Sequence, residues 1–201
     1  MSRESNILFW TGDGRSTRDH HVATIAKQAE AVPDARVMEE DHATIAAEIA
    51  AKGAVKVPSL DRTNVSFERV ERTVDATNVW GEPYRAKQSM LKFEVPFVGE
   101  RDIFTLRPTT WDSGPPYAEV GRSSLFVTIR DQTDVEAVKR ELDNTLDSIE
   151  KYLGWHAPLW ENVEADIVAG AVGILAARKK KIEQARQADD GLAAFGFKPK
   201  S

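Results

Sequence analysis

Residues 133–188 constrain the fold more than any other stretch, because they spell out two long helices in succession. Thr133 followed three residues later by Glu136 is a capping box, in which each side chain satisfies a backbone N–H at a helix start. Val135, Val138, Leu142, Leu146, Ile149 and Leu153 then recur at steps of three and four, one apolar stripe at helical period. Lys139, Arg140, Glu141, Asp143, Asp147, Glu150 and Lys151 fill the opposite face. Gly154 stands where the left-handed residue after a helix is expected, and Pro158 suits the first turn of the next one. From Leu159 to Ala188 no proline interrupts, which predicts a second helix about 45 Å long at ~1.5 Å per residue. Its apolar positions include Val163, Ile167, Ile174 and Ile182. Gly170 and Gly173 each cost a helix about 1 kcal/mol relative to alanine, so they imply close approach of another helix or chain, or a kink. A hairpin striped on both helices either covers the chain's own sheet or offers a dimerisation surface.

The sheet is expected upstream. Leu91, Phe93, Val95 and Phe97 alternate with Lys92, Glu94 and Pro96, the period of a strand with one buried face. Pro96 has no N–H to give, which predicts an edge position or the strand's end. Gly99 and Glu100 read as a turn into Ile103–Leu106 as a hairpin partner, and short strands follow near Tyr117–Val120 and Leu125–Ile129. The class that results is α+β: an antiparallel sheet of about four strands against a C-terminal helical hairpin at 133–188. That domain spans 59–201, after a small, mainly helical segment at 1–58. In that segment Ile7–Trp10 reads as a strand and Thr11–Gly14 as a turn; Ser16 with Asp19 can cap a helix striped by Val22, Ile25, Ala26 and Ala29. Asp41 can cap a second, holding Ile45 and Ile49 and closed by Gly53. Between 55 and 78 periodicity leaves strand and helix both open: Val65 and Phe67 alternate, while Phe67, Val70 and Val74 have helical spacing.

No catalytic constellation stands out. The absence of cysteine removes disulfides, thiolate metal sites and thiol nucleophiles together, and fits a cytoplasmic protein. No apolar run approaches the ~20 residues of a membrane span. Ser123 and Ser124 lack a nucleophile-elbow setting. The Gly12–Gly14 turn fits neither the dinucleotide nor the Walker pattern, so no cofactor is implied. A metal-dependent hydrolase near His20, His21 and Asp41 would need Asp41 or His42 brought against one of the two histidines, because adjacent helical histidines point about 100° apart and do not share an ion. Net charge −5 argues against a surface devoted to nucleic acid. A local alternative is the basic run Arg178, Lys179, Lys180 and Lys181 with Arg186, which can grip phosphates or simply complement a helix C-terminus. Trp111 in a proline-rich loop, Trp155 and Trp160 at the helical corner, and Gly170 with Gly173 are the candidate protein-interface residues. The reading is a non-catalytic sensor, adaptor or assembly module with a protein partner, possible self-association and no membrane.

One resemblance sharpens this. Phe93-Glu94-Val95-Pro96-Phe97 is followed in order by Arg107-Pro108, Trp111, Pro116, Leu125–Ile129 and Asp131. Next come Tyr152-Leu153-Gly154-Trp155, the basic run, and Phe195-Gly196-Phe197-Lys198. Over Leu91–Lys200 this order resembles a bacterial region that accompanies TIR or restriction-endonuclease-type effector domains in defence genes. The resemblance implies a sensing or assembly role in antiviral defence, with an effector enzyme of the same system as partner, and supplies no catalytic residues.

Overall fold

The structure, a computed structural model, describes residues 6–131 and 134–197. Its elements are β1 (Gly12–Asp13), α1 (Gly14–Ala26), α2 (Asp34–Glu39), α3 (His42–Ala50), β2 (Ser59–Leu60), β3 (Ser66–Thr77), β4 (Pro83–Val98), β5 (Leu106–Arg107), β6 (Glu119–Val120), β7 (Ser124–Arg130), α4 (Val135–Trp160) and α5 (Val163–Ala194). Turns of 3-10 helix lie at Lys27–Ala31, Ala51–Gly53 and Arg101–Thr105. The class is α+β, and the chain divides into two compact units interleaved in sequence. One takes the residues up to Arg15 with Lys56–Trp160; the other takes Ser16–Val55 with the residues from Glu161 on.

The first unit is built on an antiparallel sheet with β4 at its centre. β3 pairs along one side of β4, from Ser66 opposite Glu94 to Thr77 opposite Pro83, and β2 resumes on that side with Leu60 opposite Phe97. β7 pairs along the other side, from Met90 opposite Arg130 to Pro96 opposite Ser124, and β6 adds a rung at Val120 opposite Leu125. The stretch whose period was ambiguous is therefore a twelve-residue strand. Leu91, Val95 and Phe97 of β4 and Leu125, Val127 and Ile129 of β7 are buried on the face that α4 covers with Val138, Leu142, Leu146, Ile149 and Leu153.

Pro96 sits in the central strand, not at an edge. Its carbonyl accepts from Asp61 N–H at 2.8 Å in the gap between β3 and β2, so its missing N–H faces a place where no ladder bond is needed. Ile103–Leu106 does not return along β4: Glu100 N–H bonds to Lys56 O at 2.8 Å, Ile103 and Phe104 turn inward on a 3-10 turn, and β5 pairs in parallel with β1. Gly154 does not end a helix, since its φ is not positive, and α4 runs on to Trp160 with Pro158 in its last turn. Burying Leu153 and Trp160 along the continued stripe, at ~1.5–3 kcal/mol per large apolar side chain, outweighs a glycine costing about 1 kcal/mol. Thr133 lies outside the described residues. Asp134 caps α4, its Oδ1 accepting from Glu136 N–H at 3.0 Å and Ala137 N–H at 3.1 Å.

The second unit is helical. α5 packs on α3, α2 and the Lys27–Ala31 turn, burying Val163, Ile167, Ala171 and Leu175 at four-residue steps. Ile45, Ala46, Ile49 and Ala50 of α3, with Val37 and Ala29, complete that core. The two helices of the expected hairpin thus draw their burial from different partners: α4 from the sheet, α5 from the N-terminal helices. As the sequence predicts, Asp41 caps α3 by accepting from Thr44 N–H at 3.1 Å, which lowers its pKa. From Ala176 to Phe197 no residue of the unit is buried.

Candidate functional site

One exposed feature is an arm that the sequence left unassigned. β7 stops pairing with β4 at Met90, while β3 and β4 continue as a pair to Thr77 and Pro83. Val70–Thr77 and Pro83–Met90 therefore form a two-stranded arm about 26 Å long, at ~3.3 Å per residue. Asn78 organises its tip. Its Oδ1 accepts from Trp80 N–H at 3.0 Å and Glu82 N–H at 2.9 Å, its amide donates to Glu82 Oε2 at 2.9 Å, and Gly81 takes the left-handed φ of 83° that closes the turn. Val79 and Trp80 ride on this closed turn at 89% and 83% exposure. A two-stranded hairpin is marginal in water without a third strand or a packed face.

A second aromatic surface belongs to the same unit. Trp111 is half-exposed, edge-on to Trp10 with centroids 6.3 Å apart, and Arg107 lies over its ring at 5.4 Å. Beside it Asp112 receives Lys151 Nζ at 2.7 Å, the Tyr152 hydroxyl at 2.7 Å and Gly114 N–H at 3.1 Å. Lys151 first and then Tyr152 hold the Asp112 carboxyl down at about 2, while burial, helped by the same carboxylate, pushes Tyr152 up to about 12. Trp155 packs edge-on against Tyr152 at 4.8 Å, with Lys151 Nζ 4.8 Å over its ring. These shifted groups pin the loop to α4.

The remaining sequence candidates separate by position. Trp160 is buried, part of the core. Gly170 permits close packing, since a Cβ there would stand 3.0 Å from Ala26 Cβ, whereas Gly173 faces open space. Arg178 is committed to structure: it donates to Ala29 O at 2.8 Å, Val32 O at 2.6 Å and Asp34 Oδ1 at 2.5 Å. Lys180, Lys181 and Arg186 are exposed and Lys179 partly so. The histidines do not converge. His21 Nε2 bonds to Gly53 O at 2.9 Å, His42 Nε2 to Val37 O at 2.9 Å, and His20 lies by Thr24 at 3.4 Å. Among the described residues no group of three or more metal-ligating side chains could hold an ion. His156 is fully buried, its Nε2 donating to Leu106 O at 2.8 Å, and burial lowers its pKa.

No family model matches the chain, and no curated protein or solved structure does either. No helix among the described residues is long and apolar enough to cross a membrane.

Proposed function

We propose that this chain is a non-catalytic assembly or adaptor module that works through protein–protein contacts. The observation that carries the reading is the arm: a hydrogen-bonded turn presents an indole and an isopropyl group to solvent, the kind of exposed apolar group that favours association. The Trp10–Trp111 pair, with Arg107 beside it, is a second surface of the composition found at contact hot spots. The bacterial-defence setting, with an effector enzyme as partner, belongs to the same proposal and rests on the resemblance given above. Capture with the tagged chain from nuclease-treated native-host lysate tests it, run beside a Val79→Ser, Trp80→Ser variant of unchanged circular dichroism. A stoichiometric protein, or further copies of the chain, should be retained by wild type and lost by the variant; equal retention by both would sink the reading.

A nucleic-acid role for the end of α5 is the second reading. It is favoured by Lys180, Lys181 and Arg186 standing exposed where nothing on α5 is buried, though Arg178 is spent on its own fold. Binding at low salt that survives Lys179, Lys180, Lys181 and Arg186 all replaced by alanine would remove it.

A further inference from the structure

Polarity changes sides along β3 and β4 while the pairing register does not. On the body of the sheet Leu91, Phe93, Val95 and Phe97 point to the face that α4 covers, and Lys92, Glu94 and Thr128 to the other. On the arm the order inverts. The rungs on the α4 side are Glu71 opposite Ser89, Thr73 opposite Lys87 and Asp75 opposite Arg85, crossed by ion pairs Glu71–Lys87 at 3.0 Å and Asp75–Arg85 at 3.8 Å. The rungs on the far side are Val70 opposite Met90, Val74 opposite Ala86 and Ala76 opposite Tyr84. The ladder is continuous through this switch, and because side chains alternate strictly, a chain with α4 alone to cover its sheet would gain nothing by placing apolar residues there. The arm's apolar face is made for a cover on the side away from α4.

What covers it can be read from its charges. The apolar face carries one cation, Arg72, which makes no ion pair among the described residues, and one anion at the tip, Glu82 on the Asn78 rung. Arg72 precedes Asp75 by three residues and Asn78 follows it by three. A two-fold axis through the Asp75–Arg85 rung therefore lays the Arg72 rung of one copy over the Glu82 rung of the other, twice. It also lays Val74 and Ala86 over Ala76 and Tyr84. A surface that is complementary to itself under a two-fold operation is the signature of an isologous contact.

Resting on the assembly reading, we propose that the arms of two copies of this chain pack antiparallel, apolar face to apolar face, with reciprocal Arg72–Glu82 ion pairs. The footprint, ~26 Å by ~10 Å per copy, is small beside the ~800 Å² per partner of a standard interface, so the dimer is a weak, exchanging one.

Sedimentation equilibrium of the full chain over about 1–300 µM, the range for contacts of this size, tests it. Wild type should dimerise. Arg72→Glu and Glu82→Arg should each weaken dimerisation about tenfold or more by bringing like charges together, and the double variant should return to within about threefold of wild type. Val74→Lys should leave monomer, with circular dichroism confirming that each variant is folded. A monomeric wild type, single reversals that dimerise like wild type, or a double variant no better than the singles would each overturn the proposal. A monomeric wild type that still captures a different protein through Trp80 would overturn the second-copy proposal alone and leave the assembly reading standing.

Discussion

Replacing Arg178 with alanine should destabilise the helical unit by about 3–4 kcal/mol, far more than a surface cation is worth. The side chain bridges α5 to the end of the Lys27–Ala31 turn, donating to Ala29 O at 2.8 Å and Val32 O at 2.6 Å. Hydrogen bonds from a charged donor contribute roughly 1.5–3 kcal/mol each, and the side chain's 22% exposure takes these two toward the lower part of that range. The third bond, to Asp34 at 2.5 Å, reaches a carboxylate that is 64% exposed and adds only about 0–1 kcal/mol. Urea denaturation reads the change directly: at a slope of ~2 kcal/mol per molar the midpoint should fall by roughly 1.5–2 M. Arg178→Lys should recover only part of this, because a single ammonium cannot span the three acceptors of the guanidinium fork. Lys180→Ala and Lys181→Ala should stay within about 0.5 kcal/mol, as exposed substitutions do. If Arg178→Ala also stayed within about 0.5 kcal/mol, the bridging account would be refuted and the residue would return to the basic run.

Two glycines should respond in opposite directions. A Cβ at Gly53 would stand 2.7 Å from Ile167 Cδ1 and 2.9 Å from Ile25 Cγ2, so Gly53→Ala should cost about 1–3 kcal/mol by overpacking. Gly173→Ala meets nothing within 4 Å and should stabilise α5 by up to ~1 kcal/mol; the opposite order of melting temperatures would contradict both accounts. Buried His156 has its pKa lowered in the folded state, so the unfolded chain binds the proton more readily. Its contribution is therefore intact above the unfolded value near 6.5 and is lost as pH falls below it, at up to ~1.4 kcal/mol per pH unit. His156→Gln, which keeps a donor for Leu106 O, should flatten that slope between pH 7 and 5 in urea titrations; an unchanged slope would mean other groups carry it.

The periodic elements were legible in the sequence: the α4 stripe from Val138 to Leu153, the Asp41 cap and the alternation of Leu91–Phe97 all lie as patterned. What periodicity could not supply was pairing. Nothing in Val163, Ile167 and Leu175 says whether the stripe meets a sheet or α3, because an apolar face is indifferent to which apolar face it meets. Gly154 and Pro158 misled because local propensity, about 1 kcal/mol for the glycine, was outweighed by burial of Leu153 and Trp160. The arm went unread although Asn78 and Gly81 mark its turn, since Val70 and Val74 match helical and strand spacing alike. Of the candidate interface tryptophans, Trp111 is exposed and Trp160 is core, a division that residue type alone cannot make.

Interleaving gives synthesis on the ribosome a particular timetable. Ile167 follows Ile45 by 122 residues, so at ~5–20 residues per second α3 waits roughly 6–24 s for the helix that buries it. During that interval Ile45 and Ile49 are open to any chaperone or neighbouring nascent chain, while the sheet of the first unit is being made in between. A chain cut after Trp160 would keep every strand and α4, yet leave the N-terminal helices permanently in that waiting state.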